Sequence, residues 1–128
     1  MRLLLDTHIL IWASFDPSKL GSEAISLIAD IDNEIVFSAV SIWEIAVKRQ
    51  LDRPDFPFDP TQVRFECLRQ DFNEIDLTSG HAIAAARLPF HHRDPFDRLL
   101  IAQAELEACT LLTRDRVIAL YDSPVRLV

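Results

Sequence analysis

Glycine, cysteine and lysine are scarce: the 128 residues hold two of each. Two glycines beside seven prolines, with 49% hydrophobic and 26% charged residues, exclude fibrous, low-complexity and disordered chains. Cys67 and Cys109 lie far apart without CxxC spacing, which suits two reduced, buried thiols rather than a disulfide or a zinc site. No apolar run approaches the ~18 residues of a spanning helix, and Leu3 to Leu5 is cut off by Asp6, Thr7 and His8 before a signal-peptide core forms. The chain therefore reads as cytoplasmic, with no membrane segment. Basic charge is also short: 13 Lys+Arg face 20 Asp+Glu, a formal net charge of -7. This argues against broad electrostatic binding of nucleic acid and leaves any such chemistry to local arginines or a metal.

The length suits one compact domain over residues 1–128, large enough to bury a core. Short β-branched or Leu-rich runs alternate with helical patterns, the signature of βαβ units around a mostly parallel sheet with helices on both faces. Strands are expected at Arg2 to Asp6, Glu34 to Ser38, Asn73 to Leu77, Thr110 to Thr113 and Val125 to Val128. Helices are expected near His8 to Ala13, Lys19 to Ile31, Ala39 to Gln50, Thr61 to Gln70, Ser79 to Ala86, Pro95 to Ala108 and Arg116 to Leu120. Between them, Pro54, Pro57 and Pro60 predict an extended surface loop carrying Phe56 and Phe58.

In open α/β sheets the ligand crevice lies at the carboxyl ends of the strands, and acids stand there. Three do so: Asp6 closes the first strand, Glu44 lies on the helix after the second and Asp115 follows the fourth; a fourth acid, Asp97, opens the long helix feeding the fourth strand. Each has an ordinary reading. Asp6 suits a helix N-cap, Glu44 a capping box with Ser41 or an ion pair with Lys48, Asp97 a capping-box acid behind an Asp94 N-cap, and Asp115 a cap. Their convergence favours a further role, since acids gathered at one edge repel unless a divalent cation holds them, and Mg2+ selects carboxylate oxygens. The four histidines offer no rival metal spacing and read as surface or supporting residues, with His8 nearest the site.

The stretches LLLDTHILIW from Leu3, SAVSIWEIAVKRQL from Ser38, HHRDPFDRLLIAQA from His91 and LLTRD from Leu111 resemble the PIN-domain nucleases. More narrowly they resemble VapC-type toxins of bacterial toxin-antitoxin pairs, in the right order over nearly the whole chain. The resemblance implies a three-layer α/β/α sandwich and a Mg2+- or Mn2+-dependent ribonuclease that forms a homodimer and is silenced by a small antitoxin. It also places the family's acidic quartet on Asp6, Glu44, Asp97 and Asp115, with Thr7 and Thr113 as supporting hydroxyls. Arg49, Arg53, Arg93, Arg98, Arg114 and Arg116 would then supply grip on RNA.

Two other readings remain at this point. A phosphoacceptor domain with Asp6 as nucleophile is disfavoured, because Asp6-Thr7-His8 lacks a second acid and Lys19 and Lys48 are the only lysines. A catalytically silent interaction module would leave the four acids without a purpose.

Overall fold

The computed structural model describes residues 1–128. Five parallel strands, β1 (Arg2–Leu5), β2 (Glu34–Ser38), β3 (Asn73–Ile75), β4 (Thr110–Thr113) and β5 (Val125–Leu127), form one sheet in the order β3-β2-β1-β4-β5. The helices are α1 (Thr7–Phe15), α2 (Ser22–Ala29), α3 (Ala39–Gln50), α4 (Pro60–Arg69), α5 (Ser79–Ala86) and α6 (Pro95–Leu106). Chain order reverses at β1, with β2 and β3 on one side and β4 and β5 on the other. That reversal opens a crevice beyond the strand ends.

Strand alternation divides the core between two faces of the sheet. Leu3, Leu5, Ile35, Phe37 and Leu112 pack with Ile9, Leu10, Ile45, Val63 and Cys67 of α1, α3 and α4. Leu4, Val36 and Leu111 face Leu100, Ile101 and Ala104 of α6. The expected layering of helix, parallel sheet and helix is therefore present, and every strand pair is parallel. Cys67 and Cys109 are buried free thiols, and burial raises both pKa values, Cys67 to about 11.

The scarcity of glycine shows at the helix ends. Helices α3, α4 and α6 each close with a left-handed residue, at Asp52, Asp71 and Ala108 (φ 54°, 63° and 53°). In each, the next amide reaches back to the last turn: Arg53 to Lys48 O, Phe72 to Cys67 O and Cys109 to Ala104 O, at 2.9–3.0 Å. These are Schellman closures without the glycine that usually occupies them.

Several expectations need correction. The expected helix from Lys19 to Ile31 is a 3-10 turn at Pro17–Lys19 followed by α2, because Gly21 is extended and serves as the α2 N-cap. The expected helix near Arg116 to Leu120 shrinks to a 3-10 turn at Ile118–Leu120. Phe56 is not on the surface: the proline-rich loop folds back and buries it in the core, while Phe58 stacks on Phe15 at 5.6 Å. The α3 cap is Ser38, whose Oγ accepts the Val40 N–H, so Ser41 and Glu44 lie inside the helix and form no capping box.

Arg98 also departs from expectation. Instead of presenting charge to a ligand it is buried, and its guanidinium donates to the carbonyls of Ala85, Leu88 and Pro89 at 2.8–3.1 Å. These carbonyls lie at and just beyond the C-terminus of α5, so Arg98 joins α5 to α6. His81 is likewise buried. Its Nδ1 accepts the Thr78 N–H, closing a capping box on α5, and its Nε2 lies 2.8 Å from Glu107 Oε1.

Arg98→Met keeps the stem and deletes the donors, leaving those carbonyls partly unpaired. Urea denaturation should show a loss of about 2–4 kcal/mol. A loss below ~1 kcal/mol would mean that water replaces the guanidinium there.

Candidate active site

Asp6, Glu44, Asp97 and Asp115 come from four distant parts of the chain and line one cavity of about 390 Å³ at the carboxyl ends of the strands. Parallel pairing brings the first and last together. Leu5 is in register with Leu112, so the chain leaves β1 at Asp6 beside Thr113 at the end of β4. The Thr113 hydroxyl donates to Asp6 Oδ2 at 2.5 Å, and its oxygen accepts the Asp115 N–H at 3.0 Å. One buried hydroxyl thus fixes both acids.

Asp6 also caps α1, its Oδ1 accepting the His8 N–H at 2.8 Å and facing the Ile9 N–H at 3.5 Å. The cap and the cavity-lining placement coexist. Burial still dominates and raises the Asp6 pKa, against the lowering effect of Thr113 and His8. Glu44 is buried on α3, where the Thr7 hydroxyl donates to Oε1 at 2.6 Å and Lys48 meets Oε2 at 2.5 Å. The expected Glu44–Lys48 pair is therefore present, inside the cavity. Burial opposes the Lys48 charge, but the Glu44 contact and the charges of Asp94 and Asp97 outweigh it and raise the Lys48 pKa.

Asp94 is the α6 N-cap, accepting the Phe96 N–H at 2.9 Å. The capping-box role considered for Asp97 is not formed, because the Asp94 N–H turns to His92 Nδ1 at 3.0 Å. Asp97 is left facing the other acids. Burial, then Asp94, Asp6, Glu44 and Asp115, push its pKa up to about 8.

His92 is the residue that sequence reasoning missed. Its Nε2 lies 3.1 Å from Asp97 Oδ2 and 2.9 Å from Asp115 Oδ2, and these three atoms fall within 4.8 Å of one another. A backbone N–H can only donate, so Nδ1 accepts and the ring proton sits on Nε2. His92 therefore donates to Asp115 and sets that N–H beside Asp97. Burial would raise the Asp115 pKa, yet the bonds from His92 and the Val117 N–H outweigh it and lower it. The available signal was the place of His92 two residues before the Asp94 N-cap. His8 lines the cavity as expected, beside Phe56 at 5.2 Å.

The raised Asp97 pKa has a sign for stability. The folded state holds a proton that the unfolded chain releases near pH 4, so the contribution is full below about pH 4 and lost as pH rises through about 8. In EDTA, chemical denaturation should show stability falling from pH 5 to 8.5, and Asp97→Asn should flatten that slope and raise stability at the alkaline end. An unchanged slope in the variant would place the titration elsewhere. Thr113→Val should cost about 1–3 kcal/mol by leaving buried Asp6 Oδ2 without its donor, while Thr113→Ser should recover most of it.

Comparison with known proteins agrees with this fold. The chain is 29% identical over 123 residues to Ribonuclease VapC22 from Mycobacterium tuberculosis, a match covering 95% of this chain and 93% of that protein. Among solved structures, it superimposes on the crystal structure of VapBC2 from Rickettsia felis bound to a DNA fragment from their promoter, with a TM-score of 0.71 and 15% identity over 100% of this chain and 99% of that one. It also superimposes on FitAcB from Neisseria gonorrhoeae, with a TM-score of 0.64 and 16% identity over 96% and 95% of the two chains. The PIN domain model matches residues 3–123, from the first strand to beyond the last acid of the cavity, and the chain accordingly belongs to the PIN domain family.

Proposed function

We propose that this chain, as a single nuclease domain, is a VapC-type endoribonuclease that depends on Mg2+ or Mn2+ and acts as the toxin of a toxin-antitoxin pair. The observation that carries the reading is the convergence of Asp6, Glu44, Asp97 and Asp115 on one cavity, where burial first, and then the charges of Asp94 and the other three acids, push the Asp97 pKa up to about 8. Such a cluster calls for a cation. The donor set fits a hard one, since the side chains offered are carboxylates and the tautomer of His92 makes it a donor to them rather than a ligand. The similarity to a protein named as a ribonuclease supports RNA as substrate.

In this reading Asp6, Glu44, Asp97 and Asp115 hold the metal. When bound, it neutralises phosphate charge and lowers the pKa of water for hydrolysis of the phosphodiester. The chain's part is preorganisation. Thr113 holds Asp6, Thr7 and Lys48 hold Glu44, and His92 holds Asp115 with its Nε2 also 3.1 Å from Asp97. With the carboxylates fixed before substrate arrives, little reorganisation is required during the reaction. The phosphoacceptor alternative fits poorly, because Asp6-Thr7-His8 offers no second acid beside Asp6.

A VapC-type reading carries with it a cytoplasmic toxin, a homodimer and a small protein antitoxin. No helix is long and apolar enough to cross a membrane. Between α3 and α4 runs an apolar groove of about 620 Å³ that includes Trp43, Phe65 and Leu68, all exposed, and this is the surface offered to a partner segment.

Millimolar Mn2+ or Mg2+ should raise the melting temperature, as binding to the native state alone stabilises it by about 2.7 kcal/mol at a hundred times the dissociation constant. The same ions should switch on RNA cleavage, and Asp97→Asn with Asp115→Asn should abolish both effects. Equal thermal shifts in wild type and double variant would place the metal elsewhere. A metal shift without cleavage would favour the silent module.

A further inference from the structure

The arginines are not distributed evenly with respect to partners. Arg2, Arg49, Arg53, Arg64, Arg69 and Arg126 each pair with a carboxylate, and Arg98 is buried. The exposed arginines without a carboxylate within ion-pair distance are Arg87, Arg93, Arg114 and Arg116, and all but Arg87 adjoin Asp94 or Asp115 in the chain. Unpaired positive charge thus borders the acidic cavity of a chain whose net charge is -7.

Arg114 is distinguished from the other two by its setting. It lines the cavity, and so does Trp12 of α1. The guanidinium lies over the indole, its carbon 5.4 Å from the ring centroid, and one nitrogen donates to the Lys19 carbonyl at 2.9 Å. Trp12 is itself half-buried and packed against the core around α1. A planar cation is therefore held against a fixed aromatic ring at the wall of the site, with its remaining N–H groups free. Asp115, its chain neighbour, cannot claim it, since its oxygens are taken by His92 and the Val117 N–H. Planar guanidinium and indole surfaces stack on nucleobases whatever their sequence, and a base inside a duplex does not offer its face.

We propose that Trp12 and Arg114 form a stacking platform that seats one unpaired nucleobase of the RNA beside the four acids. The proposal rests on the ribonuclease reading above and adds to it the residues that recognise an unpaired strand. The base lies on the open face of the Arg114 guanidinium, backed by the indole. A lysine at this position would keep the charge and lose the plane.

The test uses the full chain carrying Trp43→Phe, so that Trp12 is the one fluorophore of its type. In EDTA at low ionic strength it is titrated with a short single-stranded RNA, with that RNA in a duplex, and with an abasic strand of equal length. The single strand should change Trp12 emission, and the abasic strand and the duplex should not. Arg114→Lys should weaken binding of the single strand about tenfold, close to the loss in Arg114→Gln. Wild-type affinity in Arg114→Lys would overturn the platform, as would equal binding of the abasic strand or the same emission change with the duplex. The two readings fail separately. Base-dependent binding with no cleavage on adding Mn2+ would sink the ribonuclease and spare the platform, whereas cleavage with an unchanged KM in Arg114→Lys would sink the platform alone.

Discussion

The hydroxyl of Thr113 ties the ends of two central strands together, and the geometry of the cavity follows from it. Its proton goes to Asp6 and its lone pair takes the Asp115 N–H, so residues from opposite ends of the chain share one oxygen. That contact exists because β1 and β4 are parallel neighbours with Leu5 opposite Leu112. A slip of one residue would turn Asp6 and Thr113 to opposite faces. The buried leucines of both strands resist such a slip, which links core packing directly to the placement of charge.

Around that anchor the protein stores electrostatic repulsion. Three of the four acids have dedicated donors: Asp6 has Thr113 and the α1 N-terminus, Glu44 has Thr7 and Lys48, and Asp115 has His92 and backbone amides. Asp97 has no donor of its own beyond the His92 Nε2 at 3.1 Å, which bonds to Asp115, and it is the acid whose pKa rises to about 8. Repulsion left over after the internal donors are spent is what a divalent cation would relieve. The metal-free fold is held against this repulsion by the strand core and by the Arg98 clasp between α5 and α6.

Much of this was legible in the sequence. The alternation of strand and helix patterns places all five strands within two residues, the strand-end rule points to Asp6, Glu44 and Asp115, and the start of the long helix before the fourth strand points to Asp97. The Asp94 cap followed from Pro95, and the Glu44–Lys48 pair from its spacing. What was not legible depends on folding back. Phe56 sits in a proline-rich loop that looks exposed until it closes over the core, and Arg98 looks like a surface charge until α5 ends against it. His92 resembles its neighbour His91, and only the turn before α6 aims its Nε2 at Asp97 and Asp115.

The sequence by itself determined the parallel α/β architecture, the acidic net charge and the residue types available for chemistry, because periodicity, capping and composition act over a few residues. Tertiary structure decided which of those residues meet. Thr113 and Asp6 are 107 positions apart, and Arg114 reaches Lys19 across 95. No local pattern encodes such separations. They are set by the order in which strands join the sheet, and that order is fixed by burial of apolar faces on both sides at once.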